Sequence, residues 1–96
     1  MMNVLDYGEL IVGTAVVTLL GGTPAMPARC KHIYITCEGN NVRWRADGTA
    51  PTSAVGHVLT KDDSISFTGA DYRHLLENMQ LICGTISGSL RMTYFD

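Results

Sequence analysis

Period-two alternation, in short runs closed by glycine, proline or asparagine, constrains this chain more than any other feature. In Arg29–Cys37 (RCKHIYITC), Ile33, Ile35 and Cys37 share one face, and His32, Tyr34 and Thr36 share the other. Val42 and Trp44 alternate with Arg43 and Arg45, Ile65 and Phe67 alternate within Ser64–Thr68, and Leu90, Met92 and Tyr94 share one face of Leu90–Phe95. Successive side chains of a strand point to opposite sides, so each run offers an apolar face to a core and a polar face outward. Asp71–Asn78 (DYRHLLEN) is the one place where a helical turn fits, with Asp71 placed as its N-cap.

The segments between these runs set the architecture. Glu9–Leu20 is apolar and β-branched, and reads as one strand or as two short strands hinged at Gly13. Gly21–Pro27 (GGTPAMP) is a loop, because glycine and proline punctuate regular structure. Glu38–Asn41 (EGNN) supplies the positive φ of a tight turn, so Arg29–Cys37 and Val42–Arg45 are expected to form an antiparallel hairpin. Its core face would carry Ile33, Ile35, Val42 and Trp44. Ala46–His57 is a long loop with a turn at Asp47-Gly48, and loops of that length in small domains are commonly functional. Met1–Gly8 has no periodicity and is expected to be an N-terminal arm, disordered or docked on a neighbour. With Val58-Leu59 and Met79–Cys83, six to eight short strands are expected. The pattern is all-β: one small antiparallel β-sandwich or jelly-roll-like domain over residues 9–96, with at most one short helical turn.

At 96 residues there is room for one domain. Charged residues make up 17% of the sequence, against about 25% in an ordinary soluble domain, and only two are lysines. A lysine-poor surface is typical of large protein–protein contacts. The net charge of −2 and the scattered arginines argue against direct nucleic-acid binding, which needs a clustered basic face. No apolar run is long enough for a membrane-spanning helix, and the acidic start MMNVLDYGE makes a poor secretory signal. Three cysteines in a sequence without such a signal suit reduced thiols better than a disulfide framework, and Cys37 and Cys83 read as small core hydrophobes.

Chemistry-bearing motifs are sparse. No nucleophile elbow or Cys/His signature marks a catalytic set, so no catalytic residue is assigned. Cys30-x-His32 places two possible ligands on one strand face, but paired metal-ligand spacings are missing; no metal site and no cofactor are expected. Tyr7 falls in the arm, and Tyr34 and Phe95 on outward faces, which suits partner contacts. Arg43 and Arg45 project from one strand face. They either pin the following loop or clamp a carboxylate or backbone of a partner.

The segment Val42–Leu59 (VRWRADGTAPTSAVGHVL) resembles a pattern of small accessory virion proteins of tailed bacteriophages: an aliphatic, Arg-aromatic-Arg, a Gly-Thr-x-Pro-Thr turn, then Gly and an apolar pair. The layout around it is similar, so the likeness covers residues 29–96 and leaves residues 1–28 unmatched. It implies a decoration or cement protein on the outside of the major-capsid lattice, made in the host bacterial cytoplasm. Its partner would be the phage major capsid protein, with self-association as a dimer or trimer. Matching positions are Arg43, Arg45, Asp47, Gly48, Thr49, Pro51, Thr52 and Gly56, whose implied role is to shape the long loop. Two other readings stand beside this one: a tail- or fibre-associated jelly-roll module recognising a glycan or other ligand, and a metal-dependent cupin-type enzyme.

Overall fold

In the computed structural model, which describes residues 3–69 and 72–96, the alternating runs become strands. They are β1 (Val4–Val12), β2 (Val17–Thr18), β3 (His32–Glu38), β4 (Val42–Arg45), β5 (His57–Leu59), β6 (Ser64–Thr68), β7 (Gln80–Cys83) and β8 (Gly88–Phe95). One short helix, α1 (Arg73–Glu77), lies between β6 and β7, and a 3₁₀ turn at Leu19–Gly21 follows β2. Gly13 does separate two strands, and the expected helical turn is α1, although Asp71 lies outside the described residues.

The strands form two four-stranded sheets, ordered β1-β8-β3-β6 and β2-β7-β4-β5, with every pairing antiparallel. That order is the jelly roll: the backbone passes between sheets at nearly every connection, and among the described strands only β4 and β5 are sequence neighbours paired within one sheet. Alternation sets which side of each strand enters the space between the sheets. Leu10 and Val12 of β1, Ile33, Ile35 and Cys37 of β3, and Leu90, Met92 and Tyr94 of β8 are buried against Val42, Leu59, Leu81 and Cys83 of the other sheet. Met26, Cys30 and Leu76 come from loops and α1 to close the core, while Trp44 and Ile65 pack at its margin.

Two expectations are corrected. β3 and β4 do not form a hairpin; β3 pairs with β6 and β8, and β4 with β5 and β7. Both strands still present their apolar sides to the core, but from opposite sheets. The seven-residue register of β3 with β8 sets Ile33, Ile35 and Cys37 opposite Tyr94, Met92 and Leu90, a longer apolar match than the four residues of β4 could offer. The crossing after β3 runs close over the start of β8. A Cβ on Gly88 would stand 2.8 Å from the Asn40 carbonyl oxygen, so glycine is required there.

The second correction concerns the N-terminus. Residues 4–8 are not a free arm: they belong to β1, an edge strand that pairs with β8 from Val4↔Phe95 to Val12↔Gly88, with an irregularity between Val4 and Asp6. Alternation is hidden because an inward position of β1 is Gly8. The Tyr94 side chain occupies the space, and a Cβ there would lie 2.6 Å from its hydroxyl.

Candidate functional site

The outer face of the β1-β8-β3-β6 sheet gathers residues that are scattered in sequence. Cross-strand register places Tyr7, Thr93, Tyr34 and Ser66 in one row across all four strands. Val4, Phe95, His32 and Thr68 form the row on one side; Glu9, Arg91, Thr36 and Ser64 form the row on the other. Tyr7 and Tyr34 are each 44% exposed, and adjacent strands lie about 4.8 Å apart, so their backbones are separated by roughly 10 Å. Both rings are thus open on one surface.

Charge on this face is largely self-neutralised. Arg91 reaches Glu38 at 3.0 Å and Glu9 at 3.8 Å, and its guanidinium donates to the Tyr7 hydroxyl at 3.2 Å. The Tyr7 hydrogen bond and the two carboxylates push the Arg91 guanidinium above its ordinary value. The cluster fixes the Tyr7 hydroxyl, and no lysine projects from these three rows. His32, at the end of the face, accepts a hydrogen bond from the Gly69 amide on Nδ1 at 2.9 Å.

Sheet β2-β7-β4-β5 is different, because the 46–56 loop leans on its outer side. Arg43 donates from Nε to the Ser53 carbonyl at 3.1 Å and from Nη1 to the Gly56 carbonyl at 3.0 Å. Arg45 makes a two-pronged ion pair with Asp47, which holds the Asp47 carboxyl below its usual range. Asp47 also accepts from the Thr49 amide, and the Thr52 hydroxyl accepts from the amides of Ala54 and Val55. Pro51, within the loop, is buried. Gly48 and Gly56 adopt φ values of +88° and +134°, open to glycine and strained for other residues. Of the two roles open to the arginine pair, the geometry displays the first: both pin the loop.

Two clefts flank this loop. One, of about 490 Å³, is lined by Trp44, His57, Val55 and Leu75, with the Trp44 and His57 rings 4.6 Å apart. The other, of about 330 Å³, lies among Asn41, Arg43, Ser53, Val58, Lys61 and Thr85. No group of three or more His, Cys, Asp or Glu side chains converges among the described residues. Cys30 is buried and donates from Sγ to the His32 carbonyl, while the His32 imidazole bonds Gly69, so the two do not share a site. Burial pushes the Cys37 thiol up to about 11, with the Cys83 thiol contributing.

The expected contact residues therefore divide. Tyr7, Tyr34 and Phe95 come together on one open sheet face, while Arg43 and Arg45 lie on the opposite side of the sandwich. No local pattern marks Arg91, Glu9 and Glu38 as a cluster. The outward parity of Arg91 is legible in Leu90–Phe95, but its carboxylates come from strands that only the fold brings beside it. No helix among the described residues is long and apolar enough to cross a membrane.

Fold and face together define a jelly-roll domain with one sheet propping its own loop and the other left open. No protein-family model matches the sequence, nor does any curated protein or solved structure.

Proposed function

We propose that this protein is a structural virion component of a tailed bacteriophage, a decoration or cement protein that docks on the outside of the major-capsid lattice through the β1-β8-β3-β6 face. The observation that carries the reading is the open row Tyr7–Thr93–Tyr34–Ser66 beside a self-neutralised arginine. Such a face is polar without being strongly charged, and amphipathic rings on a lysine-free surface are what interface centres favour. The resemblance of residues 29–96 to accessory virion proteins supports the same reading.

Size decides how such a protein would work. Four strands at about 4.8 Å and seven residues at about 3.3 Å give a footprint of roughly 400 Å². A stable interface needs about 800 Å² per partner, so one copy on one face binds weakly. Self-association as a dimer or trimer would let several faces engage neighbouring capsomers, raising affinity through effective concentration without new contacts.

The test is co-sedimentation with capsids lacking the protein, followed by cryo-electron microscopy of the decorated particles. The wild-type protein is expected at stoichiometric occupancy on the head lattice, and Tyr34→Asp, which leaves the core untouched, is expected to lose most of it. Localisation to the tail, or undiminished binding by the variant, would overturn the proposal. A second reading, a tail- or fibre-associated binding module, has the Trp44–His57 cleft on its side. It predicts a ligand-dependent change in Trp44 fluorescence and no capsid occupancy.

A further inference from the structure

The seven lysines and arginines of the protein are not used alike. Arg29 pairs with Asp96, Arg45 with Asp47, Arg73 with Glu77, and Arg91 with Glu9 and Glu38. Among the described residues, Arg43, Lys61 and Lys31 make no ion pair with a carboxylate, and two of these three, Arg43 and Lys61, line the same cleft of about 330 Å³. Its other polar side chains are mixed: Asn40 spends its NH₂ group on the Ser87 carbonyl at 2.7 Å and keeps its oxygen as an acceptor, while Asn41 does the reverse. Asn41 uses its side-chain oxygen to accept the Lys61 amide at 2.8 Å, which leaves its NH₂ group as a donor. Arg43 engages Nε and Nη1 on loop carbonyls, so Nη2 remains, and those two bonds hold the guanidinium in place at no cost to its charge. Ser53 and Thr85 add hydroxyls to the wall, and no carboxylate lines it. Asp62 and Asp63 follow Lys61 in sequence, yet neither belongs to the lining.

A concave site with two unneutralised cations, one of them pre-positioned, with the Asn41 amide and two hydroxyls as further donors and with no carboxylate, is complementary to an anion. We propose that this cleft binds a carboxylate presented by a partner protein, an aspartate or glutamate side chain or a terminal carboxylate held between Arg43 and Lys61. A nucleic-acid phosphate fits less well: the other arginines are neutralised by the protein's own acids, and two cations make no track along a backbone. The site lies on the side opposite the Tyr7–Tyr34 row, so it adds a second, independent contact and does not depend on the capsid reading.

The experiment is a two-dimensional ¹H–¹⁵N titration of the full-length protein with a capped tetraglutamate peptide, with inorganic phosphate and a single-stranded oligonucleotide as separate arms. Peptide-induced shifts are expected at Asn41, Arg43, Ser53, Lys61 and Thr85. They should weaken as salt rises, because an exposed ammonium is screened. Lys61→Glu is expected to reduce the apparent affinity about tenfold, with Lys61→Ala intermediate and Lys31→Glu within about twofold of wild type. Equal losses in the Lys61 and Lys31 variants would mean general electrostatics and overturn the proposal. So would shifts spread over the surface, or an oligonucleotide or phosphate that binds as tightly as the peptide. A urea midpoint for each variant close to wild type separates loss of the site from loss of fold.

Discussion

Arg43 is one side chain bridging a strand to a loop that has no secondary structure of its own. Its planar fork donates to the carbonyls of Ser53 and Gly56, a geometry that a single ammonium cannot reproduce. Arg43→Met is expected to lower stability by about 1–2 kcal/mol and to speed amide exchange across Thr52–Gly56, with Arg43→Lys giving little rescue. Urea denaturation and exchange mass spectrometry check the two effects. A buried thiol and a buried phenol make a second prediction. Burial lifts Cys37 from an ordinary value of 9.0 to about 11, and lifts Tyr94 from 10.0 to about 12. For both groups the neutral form is the one the core accepts, so their stabilising effect is complete below pH 9 and declines as the unfolded protein ionises first. Stability should fall between about pH 9 and 12, by an amount on the order of 2 kcal/mol per group. Urea midpoints from about pH 8 to 11 test this: Cys37→Ala should flatten the early part of the decline, and a flat wild-type profile would refute it.

β1 shows how much an element's meaning depends on its neighbour. Val4–Gly8 reads as structureless because its inward position is a glycine and its register slips between Val4 and Asp6. The strand exists because β8 offers a partner and Tyr94 fills the gap that Gly8 leaves. Removing residues 1–8 should therefore strip β8 of its partner along Met92–Phe95 and expose Tyr94. The truncated protein is expected to show a clearly lower urea midpoint and an altered near-ultraviolet tyrosine signal; an unchanged midpoint would mean that β1 contributes little. Other elements carry their pattern locally. β3, β6 and β8 alternate without interruption, so their positions and inward residues follow from local pattern alone.

For the molecule as a whole, the two sheets divide the work. One supports a loop through Arg43 and carries the cleft with Lys61; the other leaves Tyr7 and Tyr34 open, with half-buried Phe95 in the adjoining row. On the capsid reading proposed above, opposed surfaces would suit a part that bridges neighbours, and the small footprint would make tight attachment depend on multiple copies. Light scattering on the purified protein is expected to report a dimer or trimer at high concentration. A strict monomer that still occupied capsids fully would show that attachment does not depend on avidity.

The sequence by itself determined the all-β class, the positions of most strands and which of their residues face inward, because a strand's side chains alternate with a period of two that a handful of residues already displays. It also set the outward parity of Tyr34, Arg91 and Phe95. What only the tertiary structure decided was pairing. An apolar strand can cover a core from either sheet, so nothing local distinguishes a β3–β4 hairpin from the observed crossing between sheets. The choice lies in non-local register, in the match of Ile33, Ile35 and Cys37 with β8 and the close passage at Gly88. The Tyr7–Tyr34 row and the Arg91 cluster are consequences of that choice, as is the cleft that sets Lys61 beside Arg43.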